Sequence, residues 1–273
     1  HRFRCWRRSG HGSVSMDRAI AQSCDVYFYS LAVNLGIEKF HAFLSQFDLG
    51  RPTGIDLPAE ASALLPSPEW KRRVHNQPWF AGDTVSFGIG QGYFLTTPLQ
   101  LAHSTGIIAQ KGAHFQPRLL YATEDPGTRA KTPEAPRAQP RVTVRNPQFW
   151  DTIKSGMVQV VEGGTASRIR STRYRIAGKT GTSQVFTLGQ SQRYNARSLP
   201  KHLQDHALFV AFAPFEEPRI AVAAIIEHGG GGGATAAPIA RKVMDAYLLE
   251  GYDEAILAEI QAAMRDIRAH GSE

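Results

Sequence analysis

Apolar residues recur at intervals of three and four positions through the first two thirds of the chain, which is the spacing of amphipathic helices. The boundaries of these runs are marked, because Gly36 follows the strongest of them and Thr97-Pro98 has the sequence of a helix start. The helices predicted in this way begin at Met16 and then cover residues 25–35, 37–47, 97–111 and 148–161.

The last third of the chain changes to β-branched and aromatic runs. The predicted strands are 174–177, 183–186, 207–212 and 220–226, followed by an amphipathic helix over 236–249 and a more polar helix over 253–269. The last two strands are almost entirely apolar, which is typical of strands buried on both faces. Helices followed by an antiparallel sheet with a covering helix predict an α+β fold.

Two stretches rich in proline and glycine interrupt this pattern. Residues 49–84 show no convincing period and are predicted to form a long ordered connection. Residues 124–140 follow a predicted short strand at 118–123 and are expected to be an exposed, mobile insert.

Composition excludes several classes of protein. With 273 residues, 42% of them hydrophobic and 20% charged, the chain can bury a core without disulfides and is not disordered. No apolar run approaches the roughly 20 residues of a membrane-spanning helix. The net charge is +7, but the basic clusters at 2–8 and 71–73 lie in separate, loop-like places. We therefore expect a solvated basic surface and no nucleic-acid partner.

Two short polar clusters hold candidate chemistry. Lys179-Thr180-Gly181-Thr182 combines an ammonium, two hydroxyls and a glycine that lets a ligand approach, although an ordinary polar strand end has the same composition. Ser23-Cys24-Asp25 interrupts an apolar helical region, where a helix cap would explain Asp25 and leave Ser23 without a role. A Ser-x-Asp triplet followed by a Lys-Thr-Gly strand is typical of the serine acyl-transfer enzymes that penicillins acylate.

With these clusters, the chain resembles the transpeptidase domain of class B penicillin-binding proteins, and most of all the penicillin-binding protein 2 type of the cell-elongation machinery. The supporting stretches are Gly10-His11-Gly12, Ser23-Cys24-Asp25, Gly54-Ile55-Asp56-Leu57, Gly88-Ile89-Gly90-Gln91-Gly92, 177–182, Gln184-Val185-Phe186, Asp205-His206 and Phe212-Ala213-Pro214. The resemblance covers about residues 1–250, which are expected to be a transpeptidase domain lacking its N-terminal part. Residues 251–273 are expected to be a polar helical tail.

The resemblance implies D,D-transpeptidation, in which a serine attacks a D-Ala-D-Ala stem peptide and a second stem peptide resolves the acyl-enzyme. Ser23 would relay a proton to the leaving amine with the help of Lys179. The hydroxyls of Thr180 and Thr182 would bind the terminal carboxylate of the substrate, and the Thr182 N–H would supply half of the oxyanion hole. Asp25 would position the Ser23 loop or the substrate amide.

One departure from the family pattern concerns the nucleophile, which in the family lies in a Ser-x-x-Lys motif upstream of the triplet. Nothing upstream of Ser23 fits, and Ser198-Leu199-Pro200-Lys201 comes too late, contains a proline and precedes no apolar helix. We therefore expect the nucleophile, like a membrane anchor, to lie upstream, and this chain alone to be inactive.

Cys5, His11 and Cys24 form a third constellation, separated by six and thirteen residues. Their side chains are suitable zinc ligands, and the resemblance implies a structural zinc with an upstream aspartate as the fourth ligand. A disulfide, a buried inert thiol and a packed histidine are the alternatives.

The resemblance also implies partners and a location: peptidoglycan stem peptides, β-lactam antibiotics, an elongation-complex glycosyltransferase and scaffold proteins, at the periplasmic face of the bacterial inner membrane. Two other functions stay open. One is a non-catalytic remnant that acts as a zinc-stabilised or partner-binding module, and the other is a serine β-lactamase, which shares the triplet and the tetrad. The long connections argue against the β-lactamase.

Overall fold

The computed structural model describes residues 3–185 and 199–249, and these contain both helices and sheet. The helices are α1 (Met16–Gln22), α2 (Asp25–Leu35), α3 (Ile37–Leu44), α4 (Pro68–His75), α5 (Ala81–Phe87), α6 (Pro98–Ala109), α7 (Gln148–Glu162) and α8 (Ala236–Leu249). The strands are β1 (Ala122–Glu124), β2 (Lys131–Pro133), β3 (Ala177–Ser183), β4 (His206–Ala213) and β5 (Ile220–Ile226).

Strands β3, β4 and β5 form an antiparallel sheet in that order, so β3 is an edge strand among the described residues. Lys179 pairs with Val210, and Phe212 pairs with Ala221, which places Lys179, Phe212 and Ala221 on one face. Helices α6 and α7 pack on this face, since Gly106 lies against Ala221 and the Lys154 ammonium lies 5.2 Å from the Phe212 ring centroid. The sheet therefore presents Lys179 on the side where the helices lie.

The largest buried cluster joins the sheet to the helices around it. Phe209 and Phe212 of β4, Val160 of α7 and Met244 of α8 have no exposed surface. Burying a large apolar side chain contributes about 2 kcal/mol, so this cluster is the main source of stability for the sheet. Smaller clusters lie among the helices and include Trp150.

The apolar helices and strands lie where the sequence predicts them, and the α+β prediction is confirmed. The prediction of two separate strands at 174–177 and 183–186 is wrong, because a single strand, β3, runs through the polar tetrad between them. The apolar pattern of β3 is weak, so its strand conformation comes from pairing with β4 and from the close packing of small residues.

The connection at 49–84 is ordered, but α4 lies wholly within it and α5 begins there, and neither was predicted. Helix α4 is short and strongly polar, so it has little apolar periodicity. Its start is nevertheless marked, because the Ser67 hydroxyl accepts a hydrogen bond from the Trp70 N–H at 3.1 Å and Pro68 occupies the first turn. Asp56 fixes the first half of the connection to residues 119–120. Its carboxylate accepts hydrogen bonds from the N–H groups of Leu119 and Leu120 at 2.6 and 2.8 Å.

Lys71 corrects the expectation of a solvated basic cluster at 71–73. Its side chain is buried, and its ammonium forms an ion pair with Asp83. Residues 124–140 are mostly exposed, as predicted, and β2 within them pairs with β1. The strand predicted at 118–123 is too long at its start, since β1 begins only at Ala122. None of the described helices is long and apolar enough to span a membrane. The predicted tail helix at 253–269 and most of the segment at 187–206 lie outside the described residues.

Candidate active site at the seam between helices and sheet

Ser23 lies in the tight turn between α1 and α2. Its backbone is left-handed, at φ 52° and ψ 56°, and the following Cys24 N–H donates to the Ala19 carbonyl at 2.9 Å. Helix α1 is seated closely on α7, since an added Cβ at Gly156 would lie 3.0 Å from the Ile20 side chain. The turn that holds Ser23 is therefore fixed relative to the sheet through α7.

Lys179 meets Ser23 across 156 residues of sequence. Its ammonium donates to the Ser23 hydroxyl at 2.9 Å and to the Thr180 carbonyl at 2.8 Å. Burial lowers the pKa of Lys179 to about 8, and attraction to Asp25 only partly opposes that effect. A lysine with this pKa gains and loses a proton near neutral pH, as a proton relay requires.

Asp25 and Trp6 hold the Ser23 turn from the other side. The Asp25 carboxylate accepts the Trp6 backbone N–H at 2.8 Å, and the Trp6 indole donates to the carbonyls of Gln22 and Ser23 at 3.1 and 2.9 Å. Burial raises the pKa of Asp25, although its hydrogen bonds and the nearby Lys179 partly counter the increase. Asp25 thus contacts the Ser23 loop indirectly, through Trp6.

Thr180 lies on the opposite face of β3 from Lys179 and is already hydrogen bonded. Its hydroxyl lies 2.7 Å from the Thr165 hydroxyl, at the end of the loop that follows α7. The five-glycine turn at 229–233 packs behind the same strand, where an added Cβ at Gly232 would lie 2.4 Å from the Gly181 carbonyl. Only glycine permits this approach, so the glycine run supports the strand as well as turning the chain.

Thr182 is exposed at the open end of β3, and its carbonyl accepts a hydrogen bond from the Gln91 side chain at 2.7 Å. Gln91 follows α5 in the glycine-rich stretch 88–92. This contact joins the helical region to the edge strand beside the exposed threonine.

The three predicted metal ligands also come together. The ligand atoms of Cys5, His11 and Cys24 all lie within 4.8 Å of one another, and the Cys5 sulfur lies 3.3 Å from Nδ1 of His11. Both cysteines are free, so the structure has no disulfide between them. A cavity of about 470 Å³ borders the cluster and is also lined by Tyr27 and Asn34.

Sequence reasoning assigned no role to Trp6, Gln91 or Thr165, which the structure places around Ser23, Thr182 and Thr180. The stretch 88–92 was recognised as a family feature, which was the available signal for Gln91. Trp6 and Thr165 act through backbone and hydroxyl contacts that no local pattern indicates.

Comparison with known proteins decides the family. The family model described as "Penicillin binding protein transpeptidase domain" matches residues 1–245. The chain belongs to this transpeptidase family. The resemblance noted from the motifs, to the penicillin-binding protein 2 type, is confirmed by the similar proteins described next.

The chain is 43% identical over 250 residues to the peptidoglycan D,D-transpeptidase MrdA of Haemophilus influenzae, a match that covers 90% of this chain and 38% of that protein. Its fold is similar to PBP2 of Pseudomonas aeruginosa, solved in complex with WCK 5153, at a TM-score of 0.77 and 44% identity over 91% of this chain and 52% of that one. It is also similar to Helicobacter pylori PBP2 in a complex with MreC, at a TM-score of 0.76 and 32% identity over 91% of this chain and 43% of that one. This transpeptidase chain thus spans well under half the length of the curated relative.

Proposed function

We propose that this transpeptidase chain contributes the proton-relay and substrate-binding half of a peptidoglycan D,D-transpeptidase active site. The observation that supports the proposal most is the 2.9 Å hydrogen bond between Lys179 and Ser23, formed by a lysine whose pKa is lowered to about 8. A buried ion pair made only for stability would pair the ammonium with a carboxylate. Here it contacts a hydroxyl and a carbonyl.

The proposed relay moves one proton at a time. When an acylated serine forms, the leaving D-alanine amine needs a proton, which the Ser23 hydroxyl donates. Ser23 recovers a proton from the Lys179 ammonium, and Lys179 takes up the proton that the attacking serine releases. In the second step, the proton lost by the incoming amine of the second stem peptide returns through the same relay to the serine oxygen. Trp6 and Asp25 keep Ser23 in place through the contacts at its carbonyl.

The substrate carboxylate is proposed to bind at the open end of β3. The Thr182 side chain is exposed there, whereas the Thr180 hydroxyl already has a partner in Thr165. We assign the larger share of carboxylate binding to Thr182 and propose that Thr180 joins it through a shared hydrogen bond. The Thr182 N–H is proposed as half of the oxyanion hole, where the loss of one donor costs roughly 10²–10³ in rate.

The nucleophile is proposed to be a serine outside residues 1–273, because Ser198 begins the only Ser-x-x-Lys spacing in the sequence and lacks the helical context. Covalent labelling with a fluorescent penicillin, followed by peptide mapping, tests this assignment. We expect no label on this chain and a label on another serine of a longer polypeptide that includes it. Labelling at Ser198 would contradict the assignment.

The relay has its own test in the longer polypeptide. We expect Lys179→Met to reduce the rate of penicillin acylation by 10²–10⁴, the usual contribution of a positioned acid or base. Lys71→Met, if folded, serves as the control, because it removes another buried lysine away from the site. Equal acylation rates in the wild type and Lys179→Met would rule out the relay.

We also propose a structural zinc at Cys5, His11 and Cys24. Two thiols and one imidazole within 4.8 Å fit the ligand set and spacing of such a site. Zinc bound there would hold the segment of Trp6 against the Ser23 turn and contribute to folding. Elemental analysis of metal-replete protein should show about one equivalent more zinc in the wild type than in Cys24→Ser, and equal zinc contents would remove the proposal.

Partners and location follow from the same family membership. The Helicobacter pylori relative is described in complex with MreC, and the Haemophilus influenzae relative is named for its action on peptidoglycan. We propose peptidoglycan stem peptides, β-lactams, a glycosyltransferase and scaffold proteins as partners, at the periplasmic face of the inner membrane. Co-purification of the longer polypeptide with an MreC-like scaffold would support this, and strictly cytoplasmic fractionation would refute it.

A further inference from the structure

A second cluster of ligand side chains lies away from Ser23 and Lys179, within the helical region. Asp48, His103 and His114 bring one carboxylate oxygen and two imidazole nitrogens together. Oδ2 of Asp48 lies 2.7 Å from Nε2 of His114 and 3.2 Å from Nε2 of His103, and the two Nε2 atoms are 3.0 Å apart. All three side chains are more than 90% buried.

These distances approach those of a metal site. Zinc bound to imidazole nitrogen and carboxylate oxygen at about 2.0–2.1 Å in a tetrahedron separates its ligand atoms by roughly 3.3 Å. Ligand atoms at 2.7, 3.0 and 3.2 Å therefore need to move apart by only a few tenths of an ångström to admit the ion. Two imidazoles and one carboxylate are also a donor set typical of zinc and related divalent transition metals.

The cluster is held in place by residues that are not ligands. The buried Gln100 side chain, one turn before His103 on α6, donates to the carbonyls of Asp48 and Arg51 at 3.2 and 2.8 Å. The Arg51 guanidinium donates through Nε to the other oxygen of Asp48, Oδ1, at 2.7 Å. This leaves Oδ2 directed at the two histidines.

The backbone of Asp48 is left-handed, at φ 59° and ψ 18°, a conformation that aspartate adopts more readily than most residues other than glycine. Burial alone would raise the pKa of Asp48, but hydrogen bonds from His103 and Arg51 and the charge of His114 lower it to about 2.

We propose that Asp48, His103 and His114 bind a divalent transition-metal ion of the zinc type, with a water molecule as the fourth ligand. The site is structural. It ties the residues that follow α3 to α6 and to the loop after α6, and it shares no ligand with the cluster of Cys5, His11 and Cys24. It does not depend on the proposed transpeptidase function.

The competing account is a cluster in which both histidines share protons with Asp48 and no metal binds. Binding of Zn²⁺ or Co²⁺ distinguishes the two accounts, provided that the cysteine ligands are first replaced by serine. In tag-free Cys5→Ser/Cys24→Ser protein, gel-filtered after incubation with Zn²⁺, we expect about one equivalent of bound zinc. Adding His103→Gln should reduce it to near zero, while the exposed His202→Gln should leave it unchanged.

Three measurements keep the test decisive if a histidine variant folds poorly. X-ray absorption of zinc in the double-serine protein should show nitrogen and oxygen ligands and no sulfur. Co²⁺ should give a tetrahedral d–d spectrum without a thiolate charge-transfer band, and Zn²⁺ should raise Tm. The proposal is overturned if the double-serine protein binds no metal when metal is in excess, or if its bound metal is unaffected by both His103→Gln and His114→Gln.

Discussion

Lys71 and Lys179 are both largely buried, yet their surroundings differ in kind. The Lys71 ammonium forms an ion pair with Asp83 and lies 4.4 Å from the Phe80 ring centroid and 5.4 Å from that of Tyr93. Within residues 3–185 and 199–249, the Lys179 ammonium donates its hydrogen bonds to the Ser23 hydroxyl and the Thr180 carbonyl. Asp25, whose charge also acts on Lys179, is instead hydrogen bonded to the Trp6 N–H.

The difference shows what makes a buried lysine chemically useful in this protein. A directly bonded carboxylate stabilises the charged form, whereas burial beside neutral oxygens leaves charged and neutral forms close in free energy. The pKa of Lys179, lowered to about 8, reflects the second situation. Lys71 thus stabilises its part of the fold through an ion pair, whereas Lys179 has the surroundings that the proposed proton transfer needs.

The most direct test of this difference between Lys71 and Lys179 is to replace each lysine by methionine. Lys71→Met leaves Asp83 without its cation and should lower the free energy of unfolding by about 3 kcal/mol. Lys179→Met removes a buried charge that has no bonded counter-ion, and should change the free energy of unfolding by about 1 kcal/mol or less. Urea unfolding of both variants measures the contrast, and equal losses would contradict it.

The pH dependence of stability sharpens the comparison further. The pKa of Lys179 is about 8 in the folded chain against 10.5 for the free side chain, so between these values the unfolded chain binds the extra proton. Raising the pH through this interval should therefore increase the free energy of unfolding of the wild type relative to Lys179→Met. Below about pH 8 the difference between the two proteins should be constant. A difference that stays constant from pH 8 to 10.5 and falls only above pH 10.5 would mean that the pKa is raised instead.

The smallest expected effect concerns the support of Ser23. Trp6→Phe removes the indole donor to the Ser23 carbonyl and should cost about 1 kcal/mol. Hydrogen exchange should become faster at Cys24, whose N–H closes the same turn. Trp79→Phe is the matched control, because it removes an indole hydrogen bond to Thr84 in another part of the protein. Unchanged exchange at Cys24 in Trp6→Phe would show that Trp6 does not hold the turn.

Long apolar elements were predictable because their apolar residues form nearly continuous runs that end at recognisable residues. Helix α2 and strand β5 have the predicted bounds for this reason, although β5 is half-buried at every position rather than buried on both faces. Strand β3 was not predictable as a whole, because its residues Ala177–Ser183 are small or polar. Their strand conformation comes from pairing with β4 and from the glycine turn behind them, which are tertiary effects.

The candidate site was predictable in pieces. The triplet at Ser23 and the tetrad at Lys179 were recognisable locally, and the resemblance to penicillin-binding proteins suggested their pairing across the chain. No comparable signal marked Asp48, His103 and His114. The two histidines follow Asp48 by 55 and 66 residues, so the three residues form no short motif. Their meeting follows from the packing of α6 and its following loop on the α3 segment.

The hydrogen bond from Gln91 to the Thr182 carbonyl has a mechanical consequence. It crosses from the helical region to the edge strand at an exposed position, and a bond of this kind is worth about 1 kcal/mol. At room temperature that energy leaves roughly one molecule in six with the bond broken, if nothing else resists the opening. Thermal motion alone can therefore separate Gln91 from Thr182, so the stretch 88–92 can leave the end of strand β3 without a ligand to displace it.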